Sequence, residues 1–444
     1  MRDPSISVRA RHASGASGSR LARVLKSVRI MPINECVDLR DIPTAVGRGK
    51  RARAHEDGSA PEKLMKIEQF TAYQAPAPAE LASLAAIAPD LVLAFGSVSR
   101  MAEPGLLETL RAAFPAAVLA GCSTAGEIGD LGVTDEMLGL TAVRFDQPGV
   151  TLATTDLASM ADSFDAGARL AQGLQVEGLH NVLVFGLGVD INGSALIAGL
   201  ASRLPAGVAI AGGLAGDGGA FTRTLTLSNR AISDRQLVAV GLHGPRTRVT
   251  HGSFHGWQPF GPARRVTRAE GNVLFELDGA PALDLYRKYL GEYADGLPGT
   301  GLLFPFEMMG PDRQGQGLIR TILGIDREAG SLILAGDIFI DGYLKLMQAS
   351  TDTLIDGAQS AAEQARAGVE ATGDSLALLV SCVGRKLVMG ARVDEEVEAV
   401  AAVFGRAVRL AGFYSNGEIS PLFASTECRL HNQTMTITLL READ

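Results

Sequence analysis

The chain has few cysteines and no pattern among them. Cys36, Cys122, Cys382 and Cys428 are scattered through 444 residues without a CxxC pair. That excludes a disulfide frame and points to a reducing, cytoplasmic compartment. Long apolar runs are also missing: no stretch approaches the roughly 20 residues needed to span a bilayer. The N-terminus holds arginines but no apolar segment before a small-residue cleavage site, so it is no secretory signal. There is no GxSxG, Walker A, kinase signature or HExxH, and the glycine-rich loops do not fit GxGxxG followed by a ribose-binding acid. Clustered cations are confined to one end. Residues 1–63 hold 13 Lys/Arg against 7 Asp/Glu; the remainder holds 28 against 42, a net charge of −14. An acidic body argues against nucleic acid as the main partner, because phosphate contacts need clustered cations.

What is present is the composition of a soluble globular protein: 46% hydrophobic, 20% charged, with 52 glycines spread along the chain. This length suggests two or three domains. Residues 1–63 show no sustained apolar period and are rich in Arg, Ser, Gly and Ala, a composition that reads as disorder. Such a leader is a basic tail, a transit segment, or sequence upstream of a true start at Met65, where MKIEQFTAY opens like a strand.

From residue 89 onward one device recurs. LVLAF at 91–95 is a continuous apolar run, the mark of a strand covered on both faces. Leu106, Leu107, Leu110 and Phe114 follow at helical spacing, and AVLAGCSTAGEI at 117–128 ends the unit in a strand and a small-residue loop. The second copy runs through NVLVFGLG, a helix at 193–204 with Asn192 as N-cap, and VAIAGGLAGDG, which carries Asp217 where the others carry Glu. The third runs from LALLVSCVG through an acidic helix at 394–403 to AVRLAGFYSNGEI at 407–419. Three copies at comparable spacing imply internal duplication and strand–helix–strand crossovers, which favour parallel pairing. Between the second and third copies, 222–227 and 237–242 read as hairpin strands, 266–277 as strand, and Asp278 as the start of a helix over 281–290 stopped by Gly291. Residues 292–318 read as loop, 332–334 and 337–340 as strands, and 351–369 as a long helix. The expectation is α/β: two related halves with mixed, partly parallel sheets flanked by helices, divided at 64–280 and 281–444.

GCSTAGEI, GGLAGD, VTRAEGNVLFELDGAPALDLYRKYLG at 266–291, GFYSNGEISP and HNQTMTITLL together resemble the FIST proteins (F-box and intracellular signal transduction). The resemblance covers about residues 85–440, with FIST N to about 280 and FIST C beyond, and no F-box helices are visible. It implies a bacterial, cytoplasmic ligand-sensing module that binds small molecules such as amino acids and signals through a separate histidine kinase or cyclic-nucleotide enzyme. Some members bind haem and sense nitric oxide, which makes a haem-based sensor the alternative and an enzyme of unknown reaction the third reading. The expected cofactor is none, or haem in the alternative.

Both Gly-Glu loops fall just past the carboxyl ends of strands, where open α/β sheets bind ligands. Backbone N–H groups at Gly126 and Gly417, with Ser123, Thr124, Ser415 and Asn416, would hold an anionic ligand group. Glu127 and Glu418 would take a ligand amine, or else accept backbone N–H bonds and tie down their own loops. Tyr414 offers an aromatic face with a polar handle; His431 and Asn432 stand at the entrance of an alternating strand, beside the site or as edge hydrogen bonders. Cys122 lacks a neighbouring base and reads as a small buried residue. His243, His251 and His255 are candidate haem ligands or hydrogen-bonded sheet histidines; Gly252 and Gly256 argue against a helix aligning the last two for metal.

Overall fold

The computed structural model describes residues 65–147, 149–367, 374–421 and 427–443. The expectations about the leader at 1–63 lie outside them. Thirteen strands come first: β1 (Met65–Ala72), β2 (Leu91–Gly96), β3 (Val118–Ser123), β4 (Glu127–Gly129), β5 (Gly132–Thr134), β6 (Leu138–Phe145), β7 (Val150–Asp156), β8 (Leu179–Gly186), β9 (Ala209–Leu214), β10 (Thr226–Ser228), β11 (Ile232–Ser233), β12 (Gln236–His243) and β13 (Thr247–Phe254). Then β14 (Gln258–Pro259), β15 (Arg264–Glu270), β16 (Val273–Leu277), β17 (Ala280–Pro281), β18 (Phe306–Met309), β19 (Gly315–Arg320), β20 (Ile322–Asp326), β21 (Ser331–Leu334) and β22 (Tyr343–Gln348) build a separate sheet. The chain ends with β23 (Ser375–Cys382), β24 (Val408–Ser415), β25 (Gly417–Pro421), β26 (Cys428–His431) and β27 (Met435–Glu442).

Each repeat owns a six-stranded sheet with the same plan: I is β1-β6-β2-β3-β10-β11, II is β7-β12-β8-β9-β25-β26, and III is β13-β27-β23-β24-β4-β5. At the centre of each lies one parallel pair, β2/β3, β8/β9 or β23/β24. The second strand of each pair carries a glycine facing the first: Gly121 opposite Ala94, Gly212 opposite Val184, Gly412 opposite Leu379. A Cβ there would meet the neighbour's carbonyl oxygen at 1.8, 2.1 and 1.9 Å respectively, so the recurring Ala-Gly pair is a close-approach requirement met three times.

The continuous apolar runs follow from burial on both faces. Leu91, Leu93 and Phe95 of β2 point into one core with Leu183 and Phe185 of β8 and Leu376, Leu378 and Val380 of β23. Phe95, Phe185 and Phe413 meet there, the Phe95 and Phe413 rings stacked at 4.8 Å. The opposite faces lie under helices: Leu106–Ala113 on I, Ser163–Gln172 and Gly193–Ala201 on II, Thr351–Arg366 and Asp394–Phe404 on III. The fourth sheet, IV, runs β19-β18-β22-β15-β16-β21-β20 and packs Leu283, Tyr286 and Leu290 of the helix Ala282–Leu290 in its own core.

The α/β class and the mixed, partly parallel sheets flanked by helices are as expected. Several local expectations change. The segments 222–227 and 237–242 do not form a hairpin: β10 pairs with β3 in sheet I, and β12 with β8 and β7 in sheet II. The stretch 292–318 is not a plain loop, since β18 and β19 pair within it. Residues 337–340 hold no strand, and Pro281, not Asp278, caps the following helix. The long helix ends at Arg366 rather than 369.

Candidate functional site

After the second parallel strand of each unit the chain leaves its own sheet and adds a hairpin to another. Unit I sends β4–β5 to sheet III, unit III sends β25–β26 to sheet II, and unit II sends β10–β11 to sheet I. The registers match: Ile128 faces Gly412, Ile419 faces Gly212, and Leu227 faces Gly121. The position equivalent to Glu127 and Glu418 in the second unit is therefore Thr226, not Asp217. Asp217 sits at the head of an insertion and accepts hydrogen bonds from the backbone N–H of Phe221, Thr222 and Arg223.

Most of the sequence-derived site residues come together where these crossings meet, and they bond chiefly to one another. Ser123 Oγ donates to Gly216 O (2.7 Å) and accepts from Leu225 N. Ala125 N donates to Tyr414 O, and Tyr414 N to Gly126 O, both at 2.8 Å. The Thr124 hydroxyl donates to Glu127 Oε1 at 2.5 Å, while Thr134 Oγ1 and Met137 N reach Oε2. In the third unit Ser415 donates to Glu418 Oε1 at 2.8 Å, and Thr434 N to Oε2. Burial pushes the Glu127 carboxyl up to about 7 and that of Glu418 to about 8, against those hydrogen bonds. Gly417 begins β25. Tyr414 is fully buried and its hydroxyl donates to Glu396 Oε1 (2.6 Å), which also accepts from Ser381. Arg385 closes the network on Glu396 at 2.7 Å. Burial, with Glu396 next, pushes the Tyr414 phenol up.

The histidines are similarly engaged. His243 bonds Thr151 Oγ1 and Glu177 O, and His251 bonds Asn181 and Thr438, which uses both ring nitrogens in each case. His255 accepts from Trp257 N, and His431 Nε2 contacts Ser420 O. Burial holds His251, His255 and His431 down at about 4. Among the described residues no group of three His, Cys, Asp or Glu is placed to hold a metal, and Cys122 is buried with its thiol pushed up. No helix of the described residues is long and apolar enough to cross a membrane.

A cleft lies beside this crossing, between the Gly193–Ala201 helix of sheet II and sheet IV. One chamber of about 440 Å³ is walled by Met160, Ile191 and Phe221 on one side and Leu302, Leu323 and Ile333 on the other. Gly188, two residues past the end of β8, and Asn192 are part of its polar lining, with Asp190, Asn272 and Asp337. Asn192 Oδ1 caps the helix by accepting from Ala195 N, and its Nδ2 reaches Asp337 Oδ1 at 3.4 Å. A second chamber of about 450 Å³ shares Asp337 and continues along the helix past Ser194 to Arg320 and Arg429. The ligand residues inferred from sequence line neither chamber; Asn416 reaches the edge of the first, donating to Gly188 O (3.3 Å) and leaving its own Oδ1 buried without a partner. Sequence reasoning missed Arg320, Leu323, Ile333 and Asp337. Asn192 was legible as a cap, the one signal pointing here.

FIST N domain matches residues 90–280 and FIST C domain residues 282–421. An uncharacterised protein of Mycobacterium tuberculosis is 29% identical over 269 residues, 58% of this chain and 64% of that protein. One from Mycobacterium bovis is 27% identical over 248 residues, 52% of this chain and 60% of its own. The chain thus spans less than two thirds of these relatives' length. A short match of 86 residues at 34% identity, 19% of this chain and 17% of the relative, is to a protein of Methanocaldococcus jannaschii. Among solved structures, cyanuric acid hydrolase from A. caulinodans aligns over 86% of this chain and 100% of its own, with 10% identity and a TM-score of 0.34.

Proposed function

The chain belongs to the FIST family, whose domains are sensor modules of signal transduction, and from that premise we propose that it senses a small molecule bound between its FIST N and FIST C parts. The observation that carries this is the apolar chamber, because its walls come from both parts: Met160, Ile191 and Phe221 from the first, Leu302, Leu323 and Ile333 from the second. Pockets for small ligands favour such junctions and combine apolar walls with a few placed polar groups. A ligand there bridges the two parts and stabilises the pair, which is how binding becomes a signal. Binding, not turnover, is the proposed task. Its setting is the bacterial cytoplasm, and its output a separate kinase or cyclic-nucleotide enzyme.

A thermal-shift screen of amino acids and other small organic molecules tests this. Saturation at about 100 times Kd stabilises by roughly 2.7 kcal/mol. Leu323 is 44% exposed at the chamber wall, so Leu323→Trp fills the chamber without disturbing the core. The variant should lose the response to every hit. Hits that stabilise Leu323→Trp as much as the unaltered chain would move the site elsewhere.

A further inference from the structure

Arg320, the last residue of β19, is 4% exposed. Its Nε donates to Asp337 O at 3.2 Å, and its Nη1 to Ile319 O at 3.2 Å and Leu430 O at 3.1 Å. These are all neutral carbonyls. No carboxylate of the described residues lies within ion-pair distance, and Nη2 has no acceptor among them. Asp337 offers its backbone oxygen here and turns its carboxylate to Asn192. Arg385, the other arginine buried this deeply among the described residues, shows the ordinary solution: Glu396 neutralises it at 2.7 Å. Buried cations are rarely left unpaired, because their desolvation needs a counter-charge.

The guanidinium, without a direct ion pair among the described residues, faces a cavity. It lines the 450 Å³ chamber with Ser194, next to the start of the nine-residue helix Gly193–Ala201. Two carboxylates share that wall without an ion pair to it: Glu427 is paired with Arg429, and Asp337, whose charge still acts on Arg320, has one oxygen bonded to Asn192. We infer that this chamber binds the anionic group of a small molecule, a carboxylate or a phosphate, on the guanidinium of Arg320. The planar fork suits both oxyanions, and backbone carbonyls at Ile319, Asp337 and Leu430 fix its orientation. The inference rests on the cleft being the ligand site and adds the chemical class: an organic acid or phosphate ester whose apolar part extends past Asp337 into the neighbouring chamber. Burial lowers the guanidinium to about 10, against the opposing charge of Asp337.

The probes are acetate and inorganic phosphate, titrated into the full chain at constant ionic strength against chloride, with melting temperature and calorimetric affinity as readouts. At least one should stabilise the unaltered chain saturably. Response to phosphate alone identifies a phosphate ester; response to acetate alone identifies an organic acid. Arg320→Lys keeps a point charge but loses the fork, and should weaken binding by about tenfold. Arg320→Met should abolish it. The Lys variant keeps the test valid if the Met variant fails to fold. Leu323→Trp should leave this anion response intact while removing apolar hits, which separates failure of this inference from failure of the cleft reading. No saturable response to either anion, or an equal response in the Arg320 variants, overturns the assignment.

Discussion

Glu127 and Glu418 are buried carboxyl groups, and that gives the protein a pH signature. Their folded values of about 7 and 8 lie above the ordinary 4.5, so the folded state binds more protons than the unfolded one between about 4.5 and 8. Their stabilising contribution is full below 4.5 and is lost as pH rises through that window. The histidines act in the other direction. His251, His255 and His431 stand at about 4 against an ordinary 6.5, so their contribution is full above 6.5 and is lost as pH falls toward 4. Three histidines outweigh two carboxyls below 6.5, and only the carboxyls titrate above it. The melting temperature should therefore peak near pH 6.5 and fall toward pH 8, with the fall reduced in Glu418→Gln. A flat profile from pH 6.5 to 8 in the unaltered chain would mean that these carboxyls ionise freely. Tyr414 makes a second test at this scale. Its hydroxyl bonds a carboxylate that also neutralises Arg385. Tyr414→Phe should cost about 1–3 kcal/mol in denaturant unfolding and leave ligand affinity unchanged. A loss of affinity without loss of stability would restore this residue to the site. In sequence Tyr414 looked like a ligand contact because an aromatic beside a glycine loop suggests a pocket wall. Its burial, and the Glu396 partner 18 residues away, are tertiary facts.

At the scale of elements, the strand runs and the helices between them were readable because each obeys a local rule. A strand covered on both faces is apolar throughout, as in LVLAFG, and an amphipathic helix repeats its apolar residues, as in Leu106, Leu107 and Leu110. Pairing across sheets obeys no such rule. Thr226 fits a hairpin with β12 by its sequence, yet it bonds opposite Cys122 in another sheet. Asp217 was matched to the glutamates by counting along the loop, and the insertion that follows it defeats the count. Arg320 was invisible for a further reason: its interest lies in the partners it lacks, which no sequence displays. The Gly193–Ala201 helix is where an element shapes the site. Asn192 caps it at 3.0 Å and also touches Asp337 across the cleft. Asn192→Ala should cost about 1 kcal/mol of stability through the cap. Asn192→Ser retains a cap but not the reach to Asp337, so it should restore most of the melting temperature while still altering ligand dissociation rates. If the serine variant matches the unaltered chain in both, the contact across the cleft is incidental.

For the whole molecule, the cyclic exchange of hairpins decides how it opens. Sheet I needs β10–β11 from unit II, sheet II needs β25–β26 from unit III, and sheet III needs β4–β5 from unit I. None of the three can be completed by its own repeat. They also share one core, in which Phe95, Phe185 and Phe413 touch. Local opening of one sheet would strip an edge from a second and expose the common core of all three. Sheet IV is different: its strands pair among themselves around Leu274, Leu283 and Tyr286. Amide exchange under native conditions reads this directly, since cooperative units share one opening free energy. The central strands β2, β8 and β23 should exchange together at the highest free energy, and β16 and β21 of sheet IV at a lower one. Ligand in the cleft should raise the sheet IV value toward the other, because it adds to the Asn192–Asp337 contact that already joins that side to the helix Gly193–Ala201. Three separate values for β2, β8 and β23 would show that the repeats open one by one, and that the exchanged hairpins contribute little to cohesion.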